Sequence, residues 1–165
     1  MDRPFYRSQG NPDWEEWERD VAYSLSNGSQ VKGSGRFDMA KGDVKSDSML
    51  IDCKHTGSDG YSLTEDFWDT LSSWAMNESR EPAMAVRIER EGARHEVAVV
   101  SEPTYHLIAR DPVRLDESGL KRQKSKRVTA SFGGKSPRLF QLGRRRLVAY
   151  RFDEFVEDVN AYEGK

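Results

Sequence analysis

Met49-Leu50-Ile51-Asp52-Cys53-Lys54-His55 is the stretch on which the fold turns. Its apolar start reads as a buried β-strand that runs into charge. Successive side chains of a strand point to opposite faces, so Asp52 and Lys54 share one face while Ile51 and Cys53 share the other. Upstream, Lys41-Gly42-Asp43-Val44 is joined to this strand by a short polar connection, which predicts a β-hairpin. A hairpin of that size folds Asp43 back against Asp52, and two carboxylates and an ammonium converge.

Working outward, Asn11, Pro12 and Asp13 supply helix-start chemistry, and a first helix is expected from about Asp13 to Leu25. Trp14, Trp17, Val21 and Leu25 give it an apolar stripe, and Glu18 lies on that stripe rather than on the solvent side. Asn27-Gly28-Ser29 ends it, and Gly33-Ser34-Gly35 follows as a glycine-rich loop. Downstream, Leu63, Phe67, Leu71, Trp74 and Ala75 predict an amphipathic helix over Leu63 to Asn77, with Ser62 or Thr64 as its cap. Trp68 and Trp74 belong to that helix as core or subunit-interface anchors.

Two strands, Ala83 to Ile88 and Glu96 to Val100, flank a charged turn, and a short helix covers Pro103 to Ala109. Alternation around Val128 to Phe132 and Arg146 to Phe152, with turns at Gly133-Gly134 and Gly143, reads as an extended basic β-ribbon. A short acidic helix from about 153 to 162 closes the chain. The 165 residues suit one domain, with a core over about 13–110 and the ribbon over about 120–151.

The net charge of −2 conceals an asymmetry. Lys121 to Arg151 holds eleven Lys or Arg and no Asp or Glu, which leaves 15 basic against 28 acidic residues elsewhere. Lys121, Arg122, Lys124, Lys126, Arg127, Arg144, Arg145 and Arg146 are its densest points, and phosphate neutralisation is the function they suit. The single cysteine, Cys53, excludes an internal disulfide and is a poor start for a zinc site. No apolar run nears the roughly 18 residues of a membrane span, and the N-terminus lacks a signal peptide's apolar stretch. A soluble protein of a reducing, cytoplasmic compartment is expected, with no membrane partner.

Phosphodiester hydrolysis explains the charged cluster. Mg²⁺ takes a few carboxylate oxygens plus waters, and a nearby lysine orients or deprotonates the attacking water. Glu18, Asp43 and Asp52 are the candidate metal ligands and Lys54 the candidate water-positioning group, with Mn²⁺ able to replace Mg²⁺. Asp38 competes with Asp43 for the first position, and Glu15 with Glu18. His55 follows the strand directly and is a candidate phosphate donor, as is Ser34 in the glycine-rich loop.

These residues resemble the PD-(D/E)xK nucleases, with Gly42-Asp43-Val44 in place of the Pro-Asp pair and Ile51-Asp52-Cys53-Lys54 as the (D/E)xK strand. Within that superfamily the chain is most similar to the Holliday-junction resolvases of archaea and phages, whose Glu-Arg-Glu, Ser-Gly, Asp and (D/E)xK elements match Glu18-Arg19-Asp20, Ser34-Gly35, Asp43 and Asp52-Cys53-Lys54. It departs in Gly42 for proline and in Asp52 where resolvases generally have Glu. The resemblance covers roughly residues 13 to 100. It implies a restriction-endonuclease-like α/β core, a central mixed β-sheet flanked by helices, and a divalent metal. It also implies a homodimer, a 5′-phosphate product and four-way branched DNA as substrate, in a host cytoplasm if the chain is phage-encoded. A restriction-like or end-processing nuclease, or an inactive DNA-binding protein on the same core, are the alternatives.

Overall fold

Trp17 and Val21 are the buried face of α1 (Pro12–Ser24), Leu25 continues it just past the helix end, and what they press on is a sheet. The computed structural model describes residues 12–31, 42–134 and 136–165. Ser34, with the rest of its glycine-rich loop, and Asp38 lie outside them.

After α1 come β1 (Ser29–Gln30), β2 (Val44–Lys45), β3 (Met49–Thr56) and β4 (Gly60–Thr64), then α2 (Glu65–Asn77). β5 (Glu81–Arg90), β6 (Ala93–Ser101) and α3 (Glu102–Ile108) follow. The chain ends with β7 (Ser125–Thr129), a 3₁₀ turn (Ala130–Gly133), β8 (Arg138–Leu142), β9 (Arg145–Arg151) and α4 (Phe152–Glu163).

Seven strands form one sheet in the order β1-β2-β3-β5-β6-β9-β8, and β4 pairs with β7 in a separate two-stranded unit. The sheet is mixed: β3 and β5 run parallel, and the other pairs are antiparallel. A parallel pair needs a crossover, which β4 and α2 supply. Both faces of the central strands are covered, so β5 reads Ala83-Met84-Ala85-Val86 without polar alternation. Ala83 and Ala85 face α1, α3 and α4, whereas Met84 and Val86 face α2 and the β4–β7 unit. The small alanines let α1 approach closely, and the Trp17 indole donates to the Ala85 carbonyl at 3.0 Å. Among the described residues no helix is long and apolar enough to cross a membrane.

The predicted elements recur, with differences in their bounds. Leu63 belongs to β4 rather than to the following helix, because Thr64 caps α2: its Oγ1 accepts from the Phe67 amide at 3.1 Å, and the helix begins at Glu65. β5 and β6 run longer than predicted because their link is only Glu91-Gly92, both at positive φ, a turn that matches the twist of the strands it joins.

The basic segment is extended, yet it is not a ribbon set apart from the core. β7 pairs with β4, while β8 and β9 extend the main sheet through β6. Burial on both faces is the reason: Leu142, Leu147, Val148 and Ala149 are fully buried. Leu142→Ala and Leu147→Ala should therefore each cost about 2–5 kcal/mol in urea unfolding, as core truncations do. A loss near zero would mean that these strands lie outside the cooperative core.

Candidate active site

The β2–β3 register sets the site. Val44 stands opposite Ile51, and the Asp43 amide donates to the Ile51 carbonyl at 3.0 Å, so Asp43 falls beside Asp52 on the same face. Gly42 makes the approach possible. Its φ of +76° is closed to proline, and a Cβ there would stand 2.8 Å from a Leu50 methyl. Glycine at this position, in place of the proline of the nucleases the sequence resembles, is thus required by the backbone.

An Asp43 carboxylate oxygen accepts from the Cys53 amide at 2.8 Å, which ties it to the strand carrying Asp52 and Lys54. The Lys54 ammonium stands 3.2 Å from Asp52 Oδ2. That contact is an ion pair, and among the described residues the buried Asp52 Oδ2 has no geometrically aligned hydrogen-bond partner. Tyr61 of β4 and Phe67 of α2 bracket the ammonium, at 5.9 and 5.0 Å from their ring centres. Sequence reading missed both rings, because they come from elements that only the tertiary fold brings to β3.

Glu18 enters from α1. Beyond Ile51, β3 has no described strand on its β2 side, and the half-buried Glu18 carboxyl lies within the field of Asp43 and Asp52. Burial first, then the charges of Asp43, Asp52 and Glu15, push its pKa up to about 7, and a hydrogen bond from Gln30 offsets part of this. Burial and the Asp43 charge push Asp52 up to about 7 as well, against the pull of Lys54. Burial works to lower the Lys54 pKa, but the adjacent Asp52 prevails and holds it above the ordinary value. Burial pushes the Cys53 thiol up, so it is unsuited to nucleophilic work.

The orientation of α1, and with it of Glu18, depends on Arg87 of β5. This side chain is 3% exposed and stacks 4.2 Å over the Trp17 ring. It bonds Asp20 of α1 at 2.8 Å and Glu96 of β6 at 2.7 Å. A lone arginine in an apolar strand is a visible sequence signal, but its partners are 67 and 9 residues away.

Other sequence candidates fall elsewhere. His55 belongs to the opposite face of β3 and hydrogen-bonds Glu89 at 2.8 Å, so it does not join Asp52 and Lys54. The alternation that pairs Asp52 with Lys54 also excludes it. Trp68 is 1% exposed in the core, in line with its expected anchoring role. Of the basic residues, Arg127 pairs with Asp59, Arg145 with Asp69, and Arg146 with Glu102 and Glu117. Lys121, Arg122, Lys124, Lys126 and Arg144 have no carboxylate ion-pair partner among the described residues.

The donor set suits a hard divalent cation: carboxylate oxygens only, one of them buried without a hydrogen bond among the described residues, and two carboxyls driven upward by burial and by the Asp43 charge. Among the described residues, no three His, Cys, Asp or Glu side chains stand close enough to cage an ion unaided. Mg²⁺ characteristically keeps several waters and one or two carboxylates, so Asp43 and Asp52 with outer support from Glu18 meet its needs.

No family model matches the sequence, and no curated protein does. A solved structure similar to this chain is that of Hjc from Archaeoglobus fulgidus, a Holliday junction resolvase from an archaeal hyperthermophile. Identity is 19%, with 49% of this chain and 72% of that chain covered, at a TM-score of 0.40.

The raised carboxyls fix a sign for pH dependence. Glu18 and Asp52 titrate near 4.5 and 3.8 when unperturbed and near 7 in the fold, so between about pH 4 and 7 the native state holds more protons than the unfolded one. Stability contributed by these groups is present at low pH and is lost as pH rises through about 7. Without divalent metal, Asp52→Asn should raise stability at pH 8 by about 1–3 kcal/mol and change it little at pH 4. Urea midpoints at the two values decide this; destabilisation at pH 8 would show that the carboxylate is a net asset to the fold.

Proposed function

We propose that this chain is a divalent-metal-dependent DNA endonuclease of the PD-(D/E)xK type, acting on branched DNA. The observation that carries the reading is Asp43, at the entry to β2, set beside Asp52 of β3, with Lys54 on the same face and Glu18 in its field. Structural ion pairs normally match charges. Here up to three carboxyl groups face one ammonium, at a cost to the fold that a bound cation offsets.

Asp43 and Asp52 would hold Mg²⁺ or Mn²⁺, which when bound neutralises charge on the phosphate and acidifies water. Lys54, kept cationic by Asp52 and bracketed by Tyr61 and Phe67, donates to the attacking water and fixes its position. Glu18, with a pKa of about 7, can take up a proton at neutral pH from the water shell around the site. Water adds to phosphorus, the bond to the 3′ oxygen breaks, and a 5′-phosphate and a 3′-hydroxyl result.

Branched DNA as substrate rests on the order of the sequence elements: an acid-Arg-acid helix, a Ser-Gly loop, Asp43, then Asp52 and Lys54. Cutting a four-way junction symmetrically requires two such sites, and a two-fold dimer supplies them. With Mg²⁺, paired nicks are expected in a labelled four-way junction and not in a linear duplex of the same arm sequence. Asp52→Asn or Lys54→Ala should reduce the rate at least about 100-fold. Equal cutting of the duplex would move the substrate to linear DNA, and no cleavage with Mg²⁺ or Mn²⁺ would refute the enzyme.

A further inference from the structure

The eleven cations between Lys121 and Arg151 divide into two populations. Four meet carboxylates of other elements or of their own turn: Arg127 with Asp59, Arg145 with Asp69, Arg146 with Glu102 and Glu117, and Arg151 with Asp153. Lys135 lies outside the described residues. The other six have no carboxylate ion-pair partner among the described residues, and they are not scattered. Lys121, Lys126 and Arg138 line a groove of about 520 Å³ along the outer side of β8. Arg122, Lys124 and Arg144 line a second of about 310 Å³, and Gln123 borders both.

Each groove holds one carboxylate that is already engaged. Asp116 accepts from the amide and hydroxyl of Ser118, and Glu65 accepts from the Arg144 amide. Six positive charges are left facing solvent along one connected track. Phe132 holds part of it in place: the Arg138 guanidinium lies 4.4 Å and the Lys126 ammonium 5.9 Å from the centre of its ring, which is itself buried. Cations steadied this way lose less freedom on binding an anion. The track is also fixed relative to the catalytic face. Tyr61, whose ring centre lies 5.9 Å from the Lys54 ammonium, pairs with Val128 on the strand that carries Lys126, and the Glu65 amide at the start of α2 donates to the Lys124 carbonyl at 2.8 Å.

We propose that the DNA backbone away from the scissile phosphate lies in these two grooves, held by the six unpaired cations, and that the four paired arginines serve the fold instead. An unbroken run of phosphates meets such a track better than a peptide, whose backbone amides would add donors where donors are already in excess. The assignment rests on the reading of the chain as a DNA enzyme, yet it is tested by binding alone.

The test is duplex binding by fluorescence anisotropy without divalent cation, at several salt concentrations. The wild type is compared with K121Q/K126Q/R138Q, with the charge-keeping K121R/K126R/R138K, and with R127Q/R145Q/R151Q, which removes the same three charges from the paired set. The first variant should bind on the order of tenfold or more weakly, with its log–log salt slope reduced by about 2–3. The charge-keeping variant should bind as the wild type, and the paired-set variant should stay within about threefold with its slope unchanged. Equal losses in both neutralised variants, or none in the first, would overturn the track, as would a polyglutamate peptide binding as tightly as the duplex. Cleavage by the wild type in Mg²⁺ is read separately, so a protein that binds through the grooves but never cuts would refute the nuclease and leave the track standing.

Discussion

Two carboxyl groups held side by side are the constraint from which the remaining structure follows. Asp43 and Asp52 are neighbours because Val44 is registered on Ile51, and a slip of one residue would send Asp52 to the opposite face. That register is specified by burial: Val44, Met49 and Ile51 point into the core under α1, and Leu50 into the core under α2. The hydrophobic pattern thus enforces an electrostatic arrangement that is unfavourable in isolation. Lys54 relieves it in part, and the Cys53 amide binds one Asp43 oxygen.

Burial at the centre of a mixed sheet gives the site its stiffness and its electrostatics together. β3 pairs with β5 along its whole length, so Asp52 and Lys54 are carried by a continuous hydrogen-bonded ladder. Desolvation there is the largest cause of the upward shift at both Asp52 and Glu18. Arg87 answers a related need on the opposite face. Its guanidinium stacks on Trp17 and bonds Asp20, which fixes the turn of α1 that presents Glu18, and it does so with acids enough around it to offset its own burial.

Most of the fold was legible in the sequence because its elements are strongly periodic. The stripe of Trp17, Val21 and Leu25 and the run Met49-Leu50-Ile51 are signals that burial leaves directly. The Asp52–Lys54 pairing followed from strand alternation, and its meeting with Asp43 from the size of the hairpin. What was not legible depends on long-range partners. Tyr61 and Phe67 reach Lys54 only because β4 and α2 form the crossover between β3 and β5, and no local pattern announces that contact. The basic segment is made of strands as its alternation predicts, but its buried residues Leu142, Leu147 and Val148 decide its place in the sheet, and the acids that neutralise Arg127, Arg145 and Arg146 lie far away in sequence. Ser34 and Asp38 belong to the segment outside the described residues.

The central claim is that Asp43 and Asp52, with Glu18 behind them, are arranged to receive a divalent cation. Titration calorimetry with Mn²⁺ at pH 7, in buffers of different ionisation enthalpy, tests it most directly, because metal entering a site of half-protonated carboxyls must expel protons. The account predicts saturable binding with net release of about one proton per ion, from groups whose pKa is about 7, and loss of both in Asp52→Asn. Binding that releases no proton, or an Asp52→Asn protein that binds Mn²⁺ as the wild type does, would contradict it.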